Sequence, residues 1–297
     1  MNPSGAFSEV DTPAPVPRAD RWRAVAWMTA AQLGFTAMTV LAKVGARDAR
    51  WQELATFRFL GGLFVAALVA KLRRVSLRPK DGRLLGARAG FGTLSAIGTF
   101  YTIHSPAISL GDASTLFAVS PFFVALLAPF ALRERFRPRV GLALLVAFIG
   151  VCVVAKPTFD TAPELVAAAT GAALSAACAM MALRRASHDE PAESIAFAFH
   201  LVGFVVLGGM AAPAWSSPSA ATSATLFLAG VAGGAAQLMM TKAFSLDLAA
   251  RVSVIGYGGV LFTRAAGTFL FREPFGPREL AGTAAVLTAG WILTRGR

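Results

Sequence analysis

From Trp22 to Thr294 the sequence runs as a succession of apolar stretches divided by short polar or charged breaks. Each stretch is about 17–25 residues long, the length an α-helix needs to cross the hydrocarbon core of a bilayer. In hydrocarbon no water is present to satisfy backbone N–H and C=O groups, so a stretch of this kind closes its hydrogen bonds within itself as a helix. Ten such segments lie at roughly 22–42, 54–70, 84–103, 108–132, 139–155, 163–183, 192–212, 222–241, 249–271 and 278–294. At about 20 residues each they leave little of the 297-residue chain for anything but tails and loops. Charged residues make up only 15% of the chain, against about 25% in soluble domains. The expectation is an all-α integral membrane protein of ten transmembrane helices with no separate soluble domain.

The basic residues orient it. With the N-terminus inside, 19 of the 28 Lys and Arg residues fall in cytoplasmic segments, among them the 71–83 run KLRRVSLRPKDGR and the Arg133 to Arg139 cluster. That excess is the positive-inside pattern, and an even number of spans then puts both termini in the cytoplasm. The location expected is a bacterial inner membrane. Residues 1–21 are Pro-rich and polar and lack the parts of a signal peptide, which reads as a disordered cytoplasmic tail. The net charge of +12 sits in short runs between apolar stretches and is not interleaved with aromatics, so lipid headgroups are its expected partner and nucleic acid is not. Cys152 and Cys178 lie inside apolar segments with no CxxC or His-rich neighbour, so neither a disulfide nor a metal site is expected.

A repeat divides the chain. Arg133-Glu134-Arg135-Phe136-Arg137-Pro138-Arg139 recurs 139 residues later as Arg272-Glu273-Pro274-Phe275-Gly276-Pro277-Arg278, with five of seven positions identical. Each copy precedes the fifth span of its half. Five spans per half is an odd number, so the second half, 163–294, must be inserted upside down relative to the first, 22–155. Inverted repeats of this kind are common in transporters, with the substrate site near the midplane between the halves.

The stretch Ser109-Leu110-Gly111-Asp112-Ala113-Ser114-Thr115-Leu116-Phe117-Ala118-Val119-Ser120-Pro121-Phe122-Phe123, leading to Glu134, resembles the fourth-span pattern of the EamA-type transporters of the drug/metabolite transporter superfamily. Phe57-Arg58-Phe59-Leu60 is similar to the second-span Arg-Phe element of that family. The resemblance covers nearly the whole chain and implies two inverted five-helix halves, a central cavity and alternating access. Arg133-Glu134 stands where the family usually has Gly-Glu, and Gly256-Tyr257-Gly258-Gly259 stands in the ninth span where it has Ser-Pro. The family analogues favoured are exporters of amino acids, aromatic ones included, working without a cofactor. A nucleoside, S-adenosylmethionine or a drug is the alternative cargo. A membrane-embedded lipid-modifying enzyme is the alternative class, but no HExxH, GxSxG or acidic metal cluster supports it, and an enzyme is not expected. The sequence leaves the oligomeric state open, and a monomer is compatible with it.

Residues near mid-span on the helices that the resemblance places around the centre are the expected substrate contacts. They are Gln32, Phe35, Met38, Ser95, Phe100, Tyr101, Phe117, Ser120, Ser175, Gln237, Tyr257 and Arg264. A few polar groups on an apolar wall suit a solute with an apolar side chain and one polar head. Pro121 is expected to kink or break the fourth span, and Gly256 to give the ninth room or flexibility. Glu134 and Glu273 end their spans beside Arg residues, as ion pairs or gates. Arg58, Lys43 and His104 read as anchors near the outer ends, Lys242 and Arg251 near the inner end, and His200 as a packed histidine. No Asp or Glu falls at an estimated midplane, so facilitated or exchange transport is expected over a carboxylate proton relay.

Overall fold

The computed structural model describes residues 16–45, 49–105, 107–108, 110–134, 137–155, 161–272 and 275–294. The chain forms α1 (Arg18–Gly45), α2 (Trp51–Leu72), α3 (Gly82–His104), α4 (Leu110–Phe117), α5 (Ser120–Ala131), α6 (Pro138–Ala155), α7 (Pro163–Ala186), α8 (Ala192–Ala211), α9 (Ala220–Leu246), α10 (Ala249–Gly256), α11 (Gly258–Phe271) and α12 (Pro277–Thr294), with a 3-10 turn at Ala212–Ala214. No strand occurs among the described residues. The first helix begins at Arg18, inside the segment expected to be a tail, because its first turn carries Asp20 at the positive end of the helix dipole.

Local chemistry sets the ends. Asp81 caps α3 by accepting from Arg83 N and Leu84 N, both at 3.0 Å, and the Ser219 hydroxyl caps α9 by accepting from Thr222 N at 3.2 Å. Pro163 opens α7, where its missing N–H costs nothing. Among the described residues, seven helical segments are long and apolar enough to cross a membrane: α1, α2, α6, α7, α8 with its 3-10 turn, α9, and α10 with α11. The other three expected segments are helical too. Each is less apolar or shorter: α3 carries Arg83 and Arg88, α4 and α5 are split, and α12 opens on Arg278 and Glu279.

Helix α1 lies along α9 and α3 along α7; α2 packs on both α8 and α9, and α6 on α12. Gly34 faces Ala236 while Gly45 faces Leu226, so α1 and α9 run antiparallel. Phe59 against Gly203 and His200 against Gly62 give the same sense to α2 and α8. The α2–α9 crossing is close because small residues meet there: a Cβ on Gly230 would stand 2.4 Å from the Phe57 carbonyl oxygen, and one on Gly234 would stand 2.5 Å from Gly62 Cα. In lipid such backbone approach, with the dispersion contact it permits, replaces the hydrophobic effect as the force between helices.

Three apolar clusters result. The largest draws Met28, Leu85, Val124, Ala177, Ile195, Phe244 and Val252 from seven helices at one end of the bundle, with Phe35 packed against it. A second joins α5, α6, α10 and α12 around Leu144, Val254 and Val286, and a third joins α2, α3 and α8 around Phe59, Ala96 and Phe199. Cys152 and Cys178 are free, half-buried thiols.

Candidate functional site

Two helices are broken in mid-course, and the breaks meet. Pro121 has no N–H to donate to the Phe117 carbonyl, so α4 stops at Phe117 and α5 restarts at Ser120 with the proline in its first turn. Val119 N donates to Leu116 O at 3.2 Å and Phe122 N to Val119 O at 2.9 Å, which is 3-10 geometry across the gap. The counterpart break at Tyr257 has no proline. There Gly256, Gly258 and Gly259 lower helix propensity, and Tyr257 N turns back to Val254 O at 3.1 Å. The Tyr257 side chain, 5% exposed, donates its hydroxyl proton to the Ala118 carbonyl, which the first break leaves unclaimed. Ala118 and Tyr257 are 139 residues apart, the spacing of the Arg-Glu motif.

Of the expected set, Gln32, Phe117 and Ser120 stand at this junction. The Gln32 amide oxygen occupies the space a Cβ on Gly259 would need, and its nitrogen lies 3.7 Å from a Cβ placed on Gly256. The Thr36 and Thr263 hydroxyls share a hydrogen bond at 3.3 Å between α1 and α11. Phe117 and Ser120 flank the first break, half-buried, as Ser95 is on α3. Ser175 on α7 and Gln237 on α9 are buried, and the Gln237 amide nitrogen finds no hydrogen-bond partner. Met38 fills the space beside Gly233 on α9.

Other expected residues stand apart. Tyr101 is 53% exposed on the last turn of α3. Arg264 points to Glu279 on α12 at 3.8 Å. Glu273 lies outside the described residues. His200 is 4% exposed, packs on Phe59 and Phe199, and donates from Nδ1 to the Ala196 carbonyl at 2.8 Å, as a packed histidine does. Arg251, expected as an interface anchor, is 7% exposed and holds both Asp247 carboxylate oxygens at 2.8 and 2.9 Å.

One end of the bundle is locked by Glu134. Its carboxylate accepts from Ala249 N, the first residue of α10, at 3.0 Å and from Arg184 Nε at 3.3 Å, while Arg184 Nη1 donates to the Phe244 carbonyl at 2.7 Å. Four segments, the end of α5, α7, the end of α9 and the start of α10, converge on one carboxylate. Burial pushes the Glu134 carboxyl above its ordinary value, and the Arg184 guanidinium and the Ala249 N–H oppose that push. Helix α10 packs on α5 here, and α4 makes no comparable contact with α11 among the described residues. Arg184 was not among the expected site residues. Its sequence signal is ordinary, one of two Arg at a helix end, and only the fold brings it to Glu134.

Sequence reasoning also misplaced Arg58 and passed over Arg88. Arg58 leaves α2 between α1 and α3, with Nε donating to the Met38 sulfur at 3.2 Å and the guanidinium 5.9 Å from the Phe100 ring. Arg88 on α3 is 2% exposed, 4.3 Å from the Phe199 ring. Among the described residues no group of three His, Cys, Asp or Glu side chains is placed to hold a metal.

The profile of the EamA-like transporter family matches residues 22–156. The pseudopaline exporter of Pseudomonas aeruginosa is 30% identical over 269 residues, covering 89% of this chain and 93% of the relative. An S-adenosylmethionine uptake transporter of Rickettsia bellii is 25% identical over 89% of this chain and 91% of its own length. A crystal structure 19% identical to this chain shares the fold with a TM-score of 0.78, covering 90% of this chain and 98% of that one. With this match along most of its length and with its apolar spans, the chain belongs to the EamA-like transporters of the drug/metabolite transporter superfamily and is a multi-pass membrane transporter.

Proposed function

We propose that this transporter moves a small amino acid or amino-acid-like metabolite across the inner membrane by alternating access at the junction of its two broken helices. The observation that carries the proposal is the hydrogen bond from Tyr257 to Ala118 at the meeting of the two breaks. Non-helical backbone at membrane depth is tolerated where it is buried in protein or lines a cavity, and broken helices of this kind hold substrates in other transporters.

The reading takes α3, the α4/α5 pair and α12 as further spans, giving ten in two inverted halves, 22–155 and 163–294, with both termini cytoplasmic. Reciprocal packing supports the inversion. Helix α1 lies on α9 as α3 lies on α7, and α1 meets α11 as α7 meets α5. The α5–α10 contact lacks such a counterpart. On this reading the Glu134 lock closes the cytoplasmic end, and the largest apolar cluster seals it. The opposite end is the open one.

For cargo, the reading takes Gln32, Thr36, Ser175 and Gln237 as polar groups among apolar side chains, which suits an amino-acid head with an apolar side chain. Some relatives take up S-adenosylmethionine, which is built on the amino acid methionine. Another exports pseudopaline. The test is counterflow of radiolabelled amino acids and of S-adenosylmethionine in proteoliposomes, with empty liposomes and Tyr257→Phe alongside. Saturable uptake of an amino acid, slowed by Tyr257→Phe, is the expected result. Uptake of S-adenosylmethionine alone moves the cargo to that compound, and uptake of neither overturns the cargo assignment.

A further inference from the structure

Two guanidinium groups lie inside the helical bundle with no carboxylate beside them. Arg88 Nε and Nη1 are buried and make no hydrogen bond. The side chain runs along α3 to Gly92, whose missing Cβ leaves the space that Nη1 fills. The Arg58 hydrogen bond goes to a thioether, a weak acceptor that a better one displaces. Aromatic rings flank both cations. Arg88 faces Phe199 at 4.3 Å, Phe199 meets Phe59 edge-on at 5.1 Å, Arg58 lies 5.3 Å from Phe59 and 5.9 Å from Phe100, and Phe100 stacks on Trp51 at 6.5 Å.

A guanidinium keeps its proton at neutral pH, and taking one out of water without an anion is costly. Cation–π contacts return only part of that cost. The other buried Arg side chains of this protein show the ordinary solution: Arg251 holds Asp247 and Arg184 holds Glu134. Arg58 and Arg88 have no such partner among the described residues. Two of the neighbours of Arg58, Met38 and Phe100, belong to the set the sequence expects to contact substrate.

We infer that Arg58 and Arg88 form an anion-binding site between α1, α2, α3 and α8 that takes the carboxylate of a small solute, with Phe100 and Trp51 receiving its apolar or aromatic part. The planar guanidinium matches a carboxylate with two parallel hydrogen bonds, and the orphaned Nε of Arg88 is one donor of such a pair. This deepens the transport reading and rests on it for the identity of the carboxylate as cargo. The binding itself does not depend on transport.

The experiment is a thermal-shift and tryptophan-fluorescence titration of the purified full chain in nanodiscs with benzoate, citrate and benzamide at matched ionic strength. At least one carboxylate is expected to raise the unfolding midpoint saturably, and benzamide to leave it unchanged. Arg88→Met and Arg58→Met are each expected to weaken carboxylate binding at least tenfold, Arg88→Lys by a smaller factor, and Arg83→Met, on the exposed first turn of α3, not at all. Should Arg88→Met fail to fold, the less deeply buried Arg58 and the charge-keeping Arg88→Lys carry the test. An equal shift with benzamide, no shift with either carboxylate, or full carboxylate binding by folded Arg58→Met and Arg88→Met protein overturns the site. Carboxylate binding in protein that shows no counterflow leaves the site standing and removes the transport cargo reading. Counterflow unaffected by the Arg58 and Arg88 variants separates the cargo from this site.

Discussion

Replacing Glu134 by alanine tests whether the carboxylate locks one end of the transport path. The substitution strips the partner from Ala249 N–H and from Arg184 Nε, while Arg184 keeps its bond to the Phe244 carbonyl at 2.7 Å. An unsatisfied buried donor costs about 1–3 kcal/mol. Because the side chain removed leaves room for water at a helix end, the lower figure applies to each donor. The closed end then loses about 2 kcal/mol, which shifts the equilibrium toward opening about 30-fold.

The reporter is maleimide labelling of Ala128→Cys, with Cys152 and Cys178 replaced by alanine. Ala128 is 2% exposed and lines the same recess as Glu134, Leu248 and Arg251. We predict labelling about 30-fold faster in Glu134→Ala and only slightly faster in Glu134→Gln, whose amide oxygen still accepts from Ala249 N–H. The pH dependence follows from the raised Glu134 carboxyl. The closed form holds this proton more tightly than an open form in which the group meets water and returns to its ordinary value. Acid therefore favours closure, and that advantage fades as pH rises through the raised value. Labelling of Ala128→Cys, normalised to the non-titrating Glu134→Gln background, should rise with pH. Unchanged labelling in folded Glu134→Ala protein would refute the lock.

Further predictions come from packing and from the helix breaks. Gly230→Val is predicted to cost about 3 kcal/mol, the upper end for overpacking, because its Cβ meets the Phe57 and Arg58 backbone carbonyls, which have no freedom to move. Gly90→Ala, with nothing within 4 Å of its Cβ, should leave the unfolding midpoint unchanged or raise it; equal loss in both would argue against the α2–α9 approach. Tyr257→Phe removes one hydrogen bond worth about 1 kcal/mol and should speed amide exchange at Val119 and Phe122, read by mass spectrometry. Slower or equal exchange there counts against the junction. Glu53, 0% exposed, accepts from Arg50 N at 2.9 Å and from the Ser216 hydroxyl at 2.7 Å, tying the start of α2 to the segment before α9. Glu53→Ala should lower stability by about 2 kcal/mol, seen as a fall in the midpoint that Arg23→Ala, an exposed side chain paired with the partly buried Asp20, does not share.

Apolar run length alone was enough to locate nearly every helix, because in hydrocarbon a backbone has few other ways to satisfy its N–H and C=O groups. The break at Pro121 was equally legible, since a missing donor has one local consequence wherever it falls. The break at Tyr257 was half legible: the glycines marked a weak point, but the hydroxyl that ties it to Ala118 depends on two segments 139 residues apart. The Arg-Glu motif told that Glu134 ends a span beside arginines, but it does not say which arginine is the partner. Arg184 is, because α7 happens to end where α10 begins.

The same reason explains Arg58 and Arg88. Counting residues along a span gives depth but not azimuth, and a guanidinium on a long stem reaches lipid headgroups, a carboxylate or an aromatic face depending on which helix stands next to it. Sequence fixes how far along its helix each charge sits. Only the packing of α2, α3 and α8 decides that these two charges meet rings and a thioether instead of water.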